Sequence, residues 1–460
     1  MPNNFPILVQ SGGTTPTSGD YLVRFIDFDG TILKEQWVDH GQAATAPTTP
    51  THEYLTFDEW NNDFDNITHN LDVGATYYTT NGATYLFCTF TTITGLQPTL
   101  NIYKNEVGDM TVLWGDGETA TISASGTTNL TKSNPYTTGG SYIISILYTS
   151  LHRGTLLGGS ATVYKYALTK AYISSLFNSS NIAYISDYVN LEYVMIPALN
   201  TQLAASSLFS YANLKHLTIP RGQLIISGAI LYYNKNLESV SFPNSVTNLT
   251  LTTGSFAYDI NLSIFIFSEN LTSVTNAAFQ ESGIRKADMR HTQLTILPVN
   301  MFRSAPLLEE AYIGHAVTQL AINTFLGCDN VKRYDFLPVI PPTIATTTFL
   351  YISALCKFYV PDASVTAYKT ATNWVTYADY IYPISLLPEY DGTIFWQTNG
   401  ADPIREWRGT PGTLAPLPIA PTKAGFTFAG WYKDEALTTA WDQNTDVCPT
   451  TNLTLYAKWI

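Results

Sequence analysis

Asn190-Leu191-Glu192-Tyr193-Val194-Met195-Ile196-Pro197 decides the architecture of this chain, because its frame returns. It reappears as Asn213-Leu214-Lys215-His216-Leu217-Thr218-Ile219-Pro220 and as Asn236-Leu237-Glu238-Ser239-Val240-Ser241-Phe242-Pro243. Working outward, a leucine-like residue recurs at Leu168, Leu191, Leu214, Leu237, Leu262, Ile284, Leu308, Val331 and Leu355, in steps of 22 to 25 residues. An aromatic residue precedes most of them by five or six places: Phe209, Tyr232, Phe256, Phe279, Phe302, Phe325 and Phe349. Two apolar marks held in phase at this period predict a solenoid, each repeat one turn of a coil. The fold class is therefore mainly β and multidomain, with a solenoid flanked by small β modules.

The Asn-Leu-x-x-apolar-x-Ile-Pro frame resembles the BspA-type leucine-rich repeat. Several units lose the terminal proline, having Ser268, Arg290 or Gly314 there. The segment from Tyr359 through Tyr368 to Trp374 and Tyr377 is similar to that family's closing helix, which covers the open apolar end of a stack.

Outside the solenoid, Pro47, Pro50, Phe57 and Trp60 share their spacing with Pro418, Pro421, Phe428 and Trp431, at an offset of 371 residues. Gly425-Phe426-Thr427-Phe428-Ala429-Gly430-Trp431-Tyr432 and the closing Leu455-Tyr456-Ala457-Lys458-Trp459 resemble B-repeats of the internalin or Listeria–Bacteroides type. The first copy carries Asp58-Glu59 before its Trp where that family has a small pair. Between the copies, Met110 to Gly117, Tyr136 and Gly140 to Ile146 resemble a PKD-like immunoglobulin sandwich. The expected division is an arm at 1–19, a B-repeat-like module at 20–79, an Ig-like sandwich at 80–149, the solenoid with its cap at 150–388, and a second B-repeat at 389–460.

Composition narrows the function. Charged residues are 13% of the chain, about half the ~25% of an ordinary soluble protein. Tyr alone, at 30, outnumbers the 23 Lys and Arg. A net charge of −13 without a basic patch excludes nucleic acid as the expected partner. No apolar run approaches the ~20 residues of a membrane helix. Cys88, Cys328, Cys356 and Cys448 form no CxxC pair, so free, buried thiols are expected rather than zinc or disulfides.

Two motifs look like chemistry. Phe25-Ile26-Asp27-Phe28-Asp29-Gly30-Thr31-Ile32 is similar to the Asp-x-Asp-Gly-Thr signature of haloacid-dehalogenase-type phosphatases. Strands and turns follow it rather than βα units, so a hairpin turning at Asp29-Gly30 is expected instead. Trp114-Gly115-Asp116-Gly117-Glu118 offers carboxylates to a cation, but an Asp-Gly turn accounts for it without the calcium-loop spacing. No HExxH, Gly-x-Ser-x-Gly or phosphate loop is present. The chain is expected to be no enzyme and to hold no metal or cofactor.

What remains is the solenoid face. Side chains alternate across a strand, so the third and fifth residues of each unit point out of the coil. The candidate binding strip is Tyr193, His216, Ile264, Ile266, Tyr312, Arg333 and Tyr359, with Trp431 and Tyr432 of the terminal repeat expected to project outward as well. Met1 to Asp20 lacks the basic and apolar regions of a signal peptide, and no wall-sorting tail is visible at Trp459-Ile460. These readings lead to the expectation of a bacteriophage virion surface protein: a tail fibre, receptor-binding protein or capsid-exposed fibre. Its arm would engage other virion proteins, its strip a host-surface glycan or protein, and homo-oligomerisation is left open. The alternative is a bacterial cell-surface adhesin.

Overall fold

The computed structural model describes residues 21–90, 97–104, 108–148, 167–174, 188–198, 209–222, 231–249, 254–387, 392–401, 407–408, 412–415, 417–418 and 420–460. The arm expected at 1–19 lies outside them. The chain is mainly β, and a leucine-rich coil runs through its centre. Leu168, Leu191, Leu214, Leu237, Leu262, Ile284, Leu308 and Val331 form one buried column, as the repeat predicts. The second beat is a ladder of rings. Phe256, Phe279, Phe302, Phe325 and Phe349 stack nearly parallel, with centroids 5.2, 5.4, 5.2 and 5.7 Å apart. That spacing follows from rungs ~4.8 Å apart, which bring equivalent side chains of successive turns into contact.

Two positions depart from the sequence reading. Leu355 is 80% exposed, and Cys356, one residue on, takes the inward place. Tyr232 is only half-buried; Leu231 fills its turn of the aromatic column. The rungs also do not form one unbroken ladder. Leu168–Tyr172 pairs with Tyr193–Met195, and His216–Thr218 with Ser239–Ser241, both parallel. Further on, Lys286–Asp288, Glu310–Ile313, Arg333–Phe336, Lys357–Val360 and Ile381–Pro383 make a continuous five-stranded parallel sheet. The turn at 261–267 forms no strand. Where its neighbours turn Val240 and Ala287 inward, this one wedges Phe265 between Phe256 and Phe279, at 5.1 and 4.7 Å.

Both ends of the coil are covered. The 84–90 strand pairs antiparallel with 168–172, so the sheet of the middle unit runs on into the first rungs. That sheet continues through 140–147, 110–113 and 119–122, and 99–104 pairs with 126–131 beside it. Trp114 and Tyr136 fill the core between them. At the other end the 365–370 helix and a 3-10 turn at 374–380 seal the stack. Tyr368 and Trp374 are buried there, donating to the Pro338 and Pro342 carbonyls at 2.8 and 2.7 Å.

The two terminal repeats share one topology. In the first, β1 (Tyr21–Ile26), β2 (Ile32–Val38), β3 (Leu55–Trp60) and β4 (Leu71–Thr79) are ordered β2-β1-β4-β3, with β1 and β4 parallel. In the second, strands 407–408, 393–397, 453–459 and 428–432 follow the same order and sense. The offset of 371 reaches the first strand too: Phe25 packs on Trp60 at 5.1 Å, and Trp396 on Trp431 at 4.9 Å. Trp431 is therefore a core residue, 3% exposed, which corrects its expected outward projection. Adjacent strand residues face opposite ways, so Trp431 and Tyr432 could not both point out. All four cysteines are buried thiols, and burial pushes Cys88, Cys328 and Cys356 up to about 12.

Candidate functional site: a cleft between the first repeat and the solenoid

The alternation rule places the strip residues correctly, but the outside of the coil is not open solvent along its length. Val194 and Ile196 point into the solenoid core, while Tyr172, Tyr193 and Met195 point out and join the core of the first repeat. That repeat is docked on the sheet. His216, 1% exposed, lies under it: a Cβ on Gly30 would sit 2.8 Å from the His216 Cβ. At the far end the second repeat covers Tyr359, burying Phe395 against Leu337, Tyr359 and Ile384. Tyr312 is buried and Arg333 partly so, beside Asp335. Of the seven strip residues only Ile264, at 43%, stands exposed, with Ile266 partly covered. The expected open strip is corrected accordingly.

Docking of the first repeat rests on polar fits at close range. Gly74 of β4 lies so near the solenoid that a Cβ would fall 2.6 Å from Thr218 Cγ2 and 2.9 Å from Ser241 Oγ. Asn61 Nδ2 donates to the Ile219 carbonyl at 2.9 Å and to Ser241 Oγ at 3.1 Å; its Oδ1 accepts from the Gly74 amide at 2.7 Å. Asn62 Nδ2 donates to the Asp72 and Phe242 carbonyls at 2.8 Å, and its Oδ1 accepts from the Asn244 amide at 2.6 Å. The Ile219 and Phe242 carbonyls close the rungs, where strand pairing ends, and a buried amide satisfies groups that would otherwise lose water. Arg221 reaches back, Nε to the Trp60 carbonyl at 2.7 Å and Nη1 to Asp63 at 2.8 Å. Beneath lies a buried ion pair, Arg24 Nε and Nη2 on both Asp72 oxygens at 2.7 and 2.6 Å. Burial, aided by the Arg24 charge, lowers His216 to about 4, so its ring is neutral near pH 7.

Beside this interface opens a cleft of about 1050 Å³. One wall is the first repeat, with Tyr21, Trp37, His40 and the 61–71 loop; the other is the solenoid from Arg221 to Tyr312, and Thr393 of the second repeat also lines it. The rings of Tyr21 and His69 meet His291 at 6.4 and 5.2 Å, closing one side. On the floor, the Tyr312 ring is surrounded by cations, with Lys286 Nζ at 4.4 Å, Arg290 at 4.5 Å and Arg333 at 5.2 Å from its centroid. Its hydroxyl donates to Glu310 at 2.6 Å, and burial together with the Glu310 charge keeps it neutral. Burial opposes the Asp288 charge, yet Arg290, His291 and Lys286 hold this carboxylate below its usual range.

The side chains of the two motifs that resembled chemistry make ties within the fold. Asp27 sits at the β1–β2 hairpin, where it accepts from Tyr77 Oη at 2.7 Å and the Phe28 amide at 2.8 Å, and lies 2.8 Å from His52 Nε2. The Asp27 amide donates to the Thr31 carbonyl, closing the turn at Asp29-Gly30 as expected. Near Trp114, the place of a cation is taken by the buried Lys132 ammonium, 2.8 Å from Asp116 and 2.7 Å from Glu118. Hydrogen bonding to Lys132 lowers Glu118 to about 2. Among the described residues no group of three or more His, Cys, Asp or Glu is placed to hold a metal ion, and no helix is long and apolar enough to cross a membrane.

The sequence reading missed Trp37, Asn61, Asn62, Arg221, Arg290 and His291. A signal was available. At the same offset the second repeat has Arg408 for Trp37 and Tyr432-Lys433 for Asn61-Asn62, so these residues are not needed for the fold the copies share.

The family models agree with this architecture. Residues 21–87 and 393–458 match the Listeria-Bacteroides repeat domain, and 226–356 match six copies of the BspA type leucine rich repeat region. A "Putative Gly-rich membrane protein" of Evansella cellulosilytica is 37% identical over 91 residues, 20% of this chain and 10% of that protein. Internalin H of Listeria monocytogenes is 47% identical over 47 residues, 10% of this chain and 9% of its own length. A leucine-rich repeat protein from Bacteroides ovatus, solved by crystallography, aligns over 42% of this chain and 58% of its own at 20% identity and a TM-score of 0.28. The chain thus carries two Listeria–Bacteroides repeats around a BspA-type leucine-rich solenoid, the modules of adhesin-like proteins of the bacterial surface. The repeat matches and the likeness to Internalin H favour the cell-surface alternative; nothing in them supports the expected virion or tail-fibre role.

Proposed function

We propose that this protein is a bacterial surface adhesin and that it recognises its target through the cleft between the first repeat and the central rungs. The observation that carries the reading is the docked repeat. It covers the solenoid face at His216 and leaves, beside the covered area, a concave polar cleft with a half-exposed tryptophan, Trp37, at its wall. Large well-formed concavities with convergent polar groups are the usual places of recognition. The family of modules supplies the setting, and the cleft supplies the site.

The test uses beads coated with the full chain and applied to epithelial monolayers and to bacterial cells. Adherence should fall at least tenfold with Trp37→Arg, which installs the residue the second repeat carries at that place. Equal adherence of the two proteins, or none to any surface, would remove the cleft from the function.

A further inference from the structure

We propose that the ligand of this cleft is an uncharged oligosaccharide, an inference that rests on the cleft being the recognition site. Three observations converge. The first is charge. The cations lining the cleft already face carboxylates of this chain: Arg221 is 2.8 Å from Asp63, Lys286 is 3.9 Å from Glu310, and Arg290 pairs with Asp288. A site built for phosphate, sulfate or a sialic acid carboxylate presents cations whose partner is the ligand. Four carboxylates, Asp63, Asp65, Glu269 and Asp288, stand against the three cations Arg221, Lys286 and Arg290 at the lining, so the cleft is polar with little net charge of either sign.

The second observation is the supply of planar amides. Asn66, Asn70 and Asn270 stand exposed at the lining; Asn70 Oδ1 accepts from the Leu22 amide at 2.9 Å and Asn270 Nδ2 donates to the Asn244 carbonyl at 2.8 Å, which orients these two side chains. An amide places a donor and an acceptor side by side, which matches two adjacent sugar hydroxyls, each a donor and an acceptor in turn. The third is Trp37. Its indole is 50% exposed at the wall, and the equivalent residue of the second repeat is Arg408, so the fold does not require an aromatic ring there. An indole face offers apolar surface to the C–H face of a sugar ring, while the amides take the hydroxyls on its edge. At about 1050 Å³ the space is at the upper end of the ~300–1,000 Å³ range of small-molecule pockets. It suits a chain of several sugar rings better than a single one.

The experiment presents the full chain to an array of neutral and sialylated oligosaccharides, followed by calorimetry with maltohexaose, laminarihexaose, chitohexaose and mannohexaose. The expected result is binding to neutral glycans, weakened at least tenfold by Trp37→Arg and retained within about threefold by Trp37→Phe. An unchanged melting temperature and proteolytic pattern would show that both variants fold. A blank array, binding confined to sialylated glycans, or binding indifferent to Trp37→Arg would each overturn the proposal. Periodate oxidation of the target cells separates the two readings. Trp37-dependent adherence that survives periodate, with a blank array, overturns the sugar ligand and leaves the cleft as the adhesive site. Trp37-dependent glycan binding without adherence to any cell supports the ligand class and removes the adhesin reading instead.

Discussion

The two terminal repeats fold alike and dock differently. Their strand order, the pairing of Phe25 with Trp60 and of Trp396 with Trp431, and even one cross-link are held in common. Tyr77 Oη donates to the Asp27 carboxylate in the first copy, and Trp459 Nε1 to the Thr398 carbonyl in the second. Facing the solenoid, the first copy presents Arg24, Asp72 and Gly74, and the second presents Phe395, Thr454 and Tyr456 at the matching places. One docks through amides and a glycine, over a buried ion pair internal to the repeat, the other through an apolar plug. Inward residues therefore specify the module, and outward ones specify where it sits.

The largest effect should come from the buried pair. Removing one partner of a buried ion pair leaves an uncompensated charge and typically costs ~3–5 kcal/mol. Asp72→Ala is expected to cost that much and to loosen the first repeat, whereas Thr454→Ala, with no charge opposite it, should cost less than ~1 kcal/mol. Chemical denaturation with fluorescence would compare them; equal costs would mean that Arg24 is not held by Asp72.

Acid should act next, and on one repeat alone. His216 is lowered from 6.5 to about 4 by burial and by Arg24, with Asp29 opposing and Thr218 and Ser239 beside the ring. The unfolded or undocked chain binds this proton more readily than the docked one between those values. Stability is then full above about pH 6.5 and falls as the pH drops toward 4, by on the order of 3 kcal/mol. Hydrogen exchange at pH 7.5 and 4.5, corrected for intrinsic rates, should show protection lost across 21–79 and kept across 453–459. His216→Gln should flatten the dependence; if it does not, the titrating group lies elsewhere.

Gly74 gives a smaller contrast. Its β carbon would press on Thr218 and Ser241, both side chains able to give a little, so Gly74→Ala should cost ~1–3 kcal/mol. Tyr456→Ala in the second repeat adds no such clash. Limited proteolysis should release the first repeat in the former only, and an intact first repeat in Gly74→Ala would mean that the close approach is relaxed in solution.

How much of this was legible follows from the same contrast. The leucine column, the stacked phenylalanines and the offset of 371 residues could be read because cores repeat, and repetition is visible in one sequence. The docking could not, because Asn61, Asn62 and Gly74 look like ordinary loop and strand residues until the opposite surface is known. Pattern also carried no warning of the one-residue shift from Leu355 to Cys356, since both are apolar. Nor did it show the left-handed residue that turns each coil at Tyr211, Tyr233, Tyr258, Glu281, Ser304, Gly327 and Tyr351. Such a backbone is usually signalled by Gly or Asn, and only Gly327 gives that sign.

The smallest expected effect concerns the motif that looked most like an enzyme. Asp27 holds the hairpin through Tyr77, the Phe28 amide and His52, and the second repeat makes the corresponding tie from Trp459 to a backbone carbonyl without any carboxylate. Asp27→Asn keeps one oxygen to accept from Tyr77 and Phe28 and turns an amide toward His52, whose ring can offer its lone pair in the neutral form. The loss should be that of one charge-assisted bond, ~1–2 kcal/mol. A lowered melting temperature with glycan binding and adherence unchanged is the expected result. A magnesium-dependent phosphatase rate in the native chain that disappears in Asp27→Asn would overturn the structural reading of this hairpin and make the two repeats differ in chemistry as well as in docking.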